Sequence, residues 1–448
     1  MSSNLLLIGK SGALAARSAL ETTGQNIANA ATKGYSRRTV ELGEVASSGG
    51  ADFRSNVALS GVRVESIQRS SSVFLQSEAR RTGSDLARAD SELRSLAGAL
   101  ASVEQAGVYP AIVEFEASLA GLGSDPLDQS LRAAVLESAR ALSGTLNIAA
   151  GSLAAVSEEA RFSAHDDAAR VTVLASDLAR TNVALTRAES GSGSRAVLLD
   201  QRDALLADMA QRIGVTATYD ATGRVDVRLG DAGGPAIVSG NASFALTATD
   251  LPDGTLAYEI DTDPPAAVIP VSGRLAGTGQ GLSAVRDLAT QLDELAANIA
   301  QTANDAQADG ITPAGAAGRP LFSGSTAATL AMSLTNGSGL ATAPASAGAN
   351  SRNTANLAAL RAALANSGPA STADAILFGV SSAVAARSVT REALSAIAET
   401  AQVSLTRETG VDLDSEAANL LRFQQAFQAS GRVIQVASDI FDTLLAIR

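Results

Sequence analysis

The sequence predicts a mainly α protein with a small β-rich insert. Its N- and C-terminal helices are expected to pair as a coiled coil, with a helical middle domain and a projecting β domain between them. Three observations carry this. The chain has 448 residues, 46% hydrophobic but only 3% aromatic, so its cores must be built from Ala, Leu and Val, which suits helices lying close together. Both ends of the chain carry apolar residues at heptad spacing. The character changes at Val215, where alternation and turns replace the helical composition.

Residues 4–30 have the pattern of an amphipathic helix. Leu6, Ala13, Leu20 and Ile27 recur at steps of seven, interleaved with Gly9, Ala16, Thr23 and Ala30. Gly34 ends the helical period, Thr39 to Leu42 looks extended, and a short alternation follows in GVRVESI, 61–67. This first arm with its extended segment covers 1–71. Residues 72–214 form the outgoing half of the helical domain, with breaks at Gly107 to Pro110, Gly123 to Pro126 and the SGSGS of 190–194. The strands of VTATY and RVDVRL, separated by DATG, read as a hairpin, and PDG and DPP punctuate further short strands. That assigns 215–275 to a β-rich outer domain. The return half of the helical domain occupies 276–405, with loops at 307–355. The last segment, 406–448, is the second arm. Its seam runs Leu413, Leu420, Phe427, Ile434 and Phe441, with Phe423, Ser430, Ala437 and Leu444 between, and only Glu416 is out of character.

The same residues exclude most chemistry. There is no cysteine and one histidine, His165, beside Asp166 and Asp167; neighbours in a helix do not face one another, so this reads as a solvated face. Gly9-Lys10-Ser11 ends like a phosphate-binding loop, but Asn4 stands where the motif needs its first glycine. Asp261 and Asp263 begin like a calcium loop, yet Pro264 and Pro265 follow and no glutamate closes it. We expect no catalytic residue, no metal and no cofactor. A net charge of −12 argues against a nucleic-acid partner. No apolar run reaches the ~18 residues of a membrane span, so membrane insertion is not expected, and no cleavable leader is seen.

The phrase NIANAATKGYSRRTVEL, 26–42, resembles the N-terminal signature of the flagellar rod and hook axial family through Asn26, Ile27, Ala28, Asn29, Thr32, Gly34, Tyr35 and Arg37. GVDLDSEAANLLRFQQAFQASGRVIQVASDIFDTLLAIR, 410–448, is similar to the tail of that family's hook–filament junction members. LLDQRDALLADMAQRIGV, VDVRLGDAGGPAIVSG and GTGQGLSAVRDLATQLDELAANIAQTAND look like the same branch. The branch commonly has a histidine in an N-x-x-H-x-x-G frame. Here Asn304, Gln307 and Gly310 fill that frame.

The resemblance implies a structural subunit that polymerises at the distal end of the hook and is not an enzyme. Its expected partners are copies of itself in a helical ring, hook protein below, and a second junction protein or flagellin above. It also implies an export chaperone on the C-terminal arm in the cytosol, export without a cleaved leader, and an extracellular place on the flagellum. The residues expected to carry assembly are the N-terminal set with Leu6, Ala13 and Leu20, and the C-terminal set Leu413, Leu420, Phe423, Phe427, Ile434, Ala437, Phe441 and Leu444. Within the phrase, Asn26 and Asn29 can satisfy backbone groups at the helix end, Gly34 permits a left-handed turn, and Tyr35 offers a ring with a polar tip. The alternatives are a hook or distal-rod protein and, from another class, a secreted coiled-coil adhesin. The LLDQRD stretch and the tail oppose the first, and the lack of long repeats opposes the second.

Overall fold

Helix dominates because the chain offers long Ala/Leu stretches with few interior breakers, and several of its helix starts are marked by side-chain caps. The structure, a computed structural model, describes residues 2–47 and 58–446. Helix α1 (Ser2–Asn29) leads into an antiparallel hairpin of β1 (Arg38–Ser47) and β2 (Ala58–Arg69). Two register shifts, at Glu41/Leu42 and Glu44/Ala46, mark β-bulges in that hairpin. Helix α2 (Val73–Ala106) starts where Ser72 Oγ accepts from Leu75 N, and it stops at Gly107, whose φ of 75° few other residues would tolerate. Helix α3 (Val108–Leu122) follows, with Pro110 in its first turn, where proline costs no intrahelical bond. Helix α4 (Gln129–Arg187) is capped by Asp128, which accepts from Ser130 N and Leu131 N. Its 59 residues make a rod of about 88 Å at ~1.5 Å per residue. Helix α5 (Gly193–Arg212) is capped by Ser192.

Seven short strands come next: β3 (Val215–Tyr219), β4 (Val225–Leu229), β5 (Ala236–Ser239), β6 (Ala242–Ser243), β7 (Leu246–Asp250), β8 (Leu256–Ile260) and β9 (Ala266–Val268). They form two antiparallel sheets, ordered β3-β4-β5-β6 and β7-β8-β9. Alternation sets their buried face: Val225, Val227 and Leu229 point inward while Asp226 and Arg228 point out. Helices α6 (Gly273–Ala308), α7 (Ala355–Ser367), α8 (Pro369–Thr409) and α9 (Leu413–Ala446) complete the chain.

Two cores organise these elements. The first joins α3, the front half of α4, α6, α7 and the start of α8, around residues such as Phe115, Leu142, Leu292 and Phe322. The second joins the rear half of α4 and α5 to both small sheets, through Val171, Leu178, Leu206, Val227 and Ile260. The β strands therefore share a core with the longest helix. Helix α6 approaches α2 very closely. A Cβ on Gly277 would lie 2.1 Å from Arg88 O, and one on Gly281 would lie 2.5 Å from Ser95 Cβ.

Residues 309–354, between α6 and α7, carry only two-residue strands and one 3-10 turn (Gly337–Gly339), and buried polar side chains tie them down. Arg132 donates to the carbonyls of Pro126, Gly337 and Leu340 and to Thr342 Oγ1. No carboxylate pairs with it among the described residues, and burial lowers its pKa. Asn304 bonds both backbone groups of Phe322, and Gln307 Oε1 accepts from Ala341 N. So Gln307, where the branch commonly has histidine, serves here as a backbone latch. On α8 no residue between Ile376 and Thr409 is fully buried.

Candidate assembly joint

The site begins with the end of α1. After Asn29 the chain makes tight turns, with Thr32 N donating to Asn29 O (2.9 Å) and Tyr35 N to Thr32 O (3.1 Å). Gly34 takes a φ of 84°, and a Cβ there would meet only Ala204 at 3.7 Å, so backbone conformation rather than space selects glycine. These turns swing Tyr35 back over the helix end. Its hydroxyl donates to Asn26 Oδ1 (2.8 Å), which also accepts from Arg38 N (3.0 Å). Asn26 Nδ2 donates to Arg38 O (2.8 Å) and Glu416 Oε2 (3.2 Å). The one buried amide thus satisfies both backbone groups of Arg38, a phenol and a carboxylate on α9. No apolar or charged side chain of that size has both donors and acceptors to do so.

Glu416 is 1% exposed and also accepts from Arg37 Nε (2.7 Å), while Arg37 N donates to Thr409 O (2.8 Å). This explains the single charged residue on the α9 seam. It is out of character as a hydrophobic position because it is the partner of Arg37 and Asn26. Burial raises the Tyr35 pKa, opposed in part by the Arg38 guanidinium, which sits 4.8 Å from the ring centre. Arg38 Nη2 in turn bonds Asp200 (2.6 Å), and Arg69 bridges Asp200 (2.6 Å) and Asp203 (2.7 Å). Gln76 of α2 donates to Asp203 (2.9 Å). Asp200 and Asp203 belong to LLDQRD. Five elements, α1, the hairpin, α5, α2 and α9, therefore meet in one charged knot.

The terminal helices run antiparallel. Gly9 faces Ser430 and Ile434, Gly12 faces Ser430, and Asn26 reaches Glu416 near the other end. A Cβ on Gly9 would come within 2.7 Å of Ile434 Cγ1, so the glycine sets the closeness of approach there. On α1 the covered face is Ala15, Ala16, Ala19, Thr22, Thr23 and Asn26, with Ala13 and Leu20 half-buried at its edge. On α9 it is Glu416 and Ala437, with Leu420, Phe423, Ser430 and Ile434 half-buried. Leu6, Ile27, Leu413, Phe427 and Phe441 remain exposed in the single chain, as does Ala28. The side chain of Leu444 lies outside the described residues. Among the described residues the side chains of Asn29 and Thr32 bond only locally: Asn29 Nδ2 donates to Gln25 O and Thr32 Oγ1 to Asn29 Oδ1. Sequence reasoning missed Arg38, Arg69, Asp200 and Asp203. Arg38, Asp200 and Asp203 lie in two phrases already singled out and Arg69 in neither, and nothing in their spacing pairs them across the chain.

Comparison with known proteins gives these contacts a context. The family model for the flagellar hook-associated protein FlgK helical domain matches residues 93–322, just over half the chain. That for the flagellar basal body rod FlgEFG protein C-terminal region matches 405–447. The chain is 23% identical to flagellar hook-associated protein 1 of Bacillus subtilis, over 96% of this chain and 95% of that one. It is 27% identical to the Salmonella typhimurium protein of the same name, over 72% of this chain and 59% of that one. The Escherichia coli protein is 26% identical over 71% and 60%. Among solved structures, the flagellar hook junction protein FlgK from Burkholderia pseudomallei superposes with a TM-score of 0.51 at 22% identity, over 55% of this chain and 46% of that one, a likeness of fold. With the helical-domain match extending over half its length, the chain belongs to the flagellar hook-associated protein FlgK family.

Proposed function

We propose that this chain is the structural adaptor between flagellar hook and filament, built into the axis as repeated copies. The observation that carries the reading is the knot itself. The N-terminal phrase shared by axial proteins is bonded directly to the C-terminal arm and to the LLDQRD stretch, so both ends and the helical body are held as one load-carrying unit. In this reading α1 and α9 supercoil as the inner layer of a helical ring, α2, α4, α6 and α8 form the next shell, and the β strands face outward. Hook protein contacts the ring from below, and a second junction protein or flagellin from above. The subunit is exported without a cleaved leader and held by a cytosolic chaperone on α9, whose exposed Leu413, Phe427 and Phe441 suit such a partner.

The chain does no catalysis in this reading. Among the described residues no group of three or more His, Asp or Glu is placed to hold a metal. A strain lacking this chain tests the proposal. Its hooks should be complete and bare, with flagellin released into the medium, and the intact chain should restore filaments. Normal filaments on such hooks would refute it. Truncated rods would favour the distal-rod alternative, to which the match of 405–447 to a rod protein region gives some support.

A further inference from the structure

Helix α9 carries two apolar seams, and the described residues of its own chain cover only one. The first, through Leu420, Phe423, Ile434 and Ala437, lies against α1. The second is Ala426, Ala429, Val433, Val436 and Ile440, again at steps of three and four, displaced by one residue and so about 100° around a helix with ~3.6 residues per turn. Val433, Val436 and Ile440 stand 36%, 54% and 40% exposed. Asp439 borders this seam and forms no ion pair among the described residues.

On the other side of α1 is an open groove of about 600 Å³ between that helix and the hairpin. Leu7 and Leu14, one heptad apart and both more than half exposed, form one wall, and Val45, Val62 and Val64 the other. Lys10 stands at the rim between the two leucines, without an ion pair among the described residues. We infer that the second seam of α9 docks into this groove in a neighbouring copy of the chain. The row of three aliphatic side chains matches the heptad spacing of Leu7 and Leu14, and Asp439 meets Lys10. Copies related by rotation about an axis along the helices keep α1 and α9 antiparallel across the contact. With Lys10 at Asp439, Leu14 then lies level with residue 435, beside Val436. The contact is head-to-tail: every copy offers one seam and one groove, which propagates a ring or helix.

This inference rests on the reading of the chain as a polymerising subunit, and the test separates the two. The chain has no cysteine, so a Leu14→Cys, Val436→Cys pair is uniquely reactive. Within one chain the pair cannot close. Gly12 faces Ser430, which sets Leu14 level with residue 428, and Val436 is then about 12 Å further along at ~1.5 Å per residue, beyond the ~7 Å Cα limit of a disulfide. Oxidised hook–filament structures from cells carrying the double variant should give a ladder of multimers that collapses on reduction, with neither single variant doing so. Lys10→Glu should cut the retained chain about fivefold, the size expected for an exposed pair of ~1 kcal/mol, and adding Asp439→Lys should restore it. Incorporated double-cysteine chain that stays monomeric, or charge reversal without effect or rescue, overturns the surface and leaves the junction reading standing. Absence of the unmodified chain from the hook–filament boundary overturns the junction reading itself.

Discussion

At the scale of single residues, Asn26 is the position with the least freedom. Replacing it by alanine leaves both backbone groups of Arg38 and the Tyr35 hydroxyl without their partner in a buried place. The cost should be about 2 kcal/mol, seen as a lower denaturation midpoint of the arm in hydrogen exchange. Glu416→Ala should cost a similar ~2 kcal/mol, because Arg37 loses its carboxylate while 70% buried. Tyr35 provides a pH test. Its folded pKa lies above the ordinary 10, so its contribution is fully present below pH 10. As pH rises beyond 10 the unfolded state ionises first and that contribution is lost. Alkaline loosening of the arm should therefore begin above pH 10 and be weaker in Tyr35→Phe. The role of Asn26 was partly legible in the sequence, since an amide at a helix end has obvious uses. Its partner Glu416 was not: a heptad count records only hydrophobicity, and the explanation lies 379 residues from Arg37.

At the scale of elements, the predominance of helix and the presence of small sheets were legible, because period and turn residues are local. The hairpin of β1 and β2 was seen only in fragments, an extended Thr39 to Leu42 and a short alternation at 61–67, since its two bulges break the period of two that betrays a strand. The intimacy of the β strands with α4 was also hidden. Alternation tells which strand face is buried but not what buries it, and here Val171 and Leu178 of α4 do so. Leu178→Ala should accordingly lower stability by about 3 kcal/mol and loosen the sheets along with the helix, as fluorescence-free probes such as hydrogen exchange on residues 225–260 would show. Helix packing through small residues gives a further expectation. Gly277→Val puts side-chain atoms where Arg88 O stands, so α2 and α6 must separate and thermal stability must fall, whereas Gly279→Val, with open space at its Cβ, should leave stability within ~0.5 kcal/mol of the parent, since valine is no poorer than glycine in a helix.

At the scale of the whole molecule, chain ends that fray in most proteins are here fastened to one another and to the body through charge as well as apolar contact. Under the proposed role, load applied to the terminal helices would pass through Arg38 and Arg69 to Asp200 and Asp203 of α5. The outer seam of α9 and the largely uncovered face of α8 are then surfaces for neighbours, which a sequence read as a single folded chain gives no means of assigning. The junction is the place proposed for this chain in the flagellum. Immunogold labelling of isolated hook–filament structures with antibody to residues 215–268 tests it most directly. A narrow band where hook meets filament is expected, and label spread along the hook, the rod or the cell surface instead would refute the junction assignment.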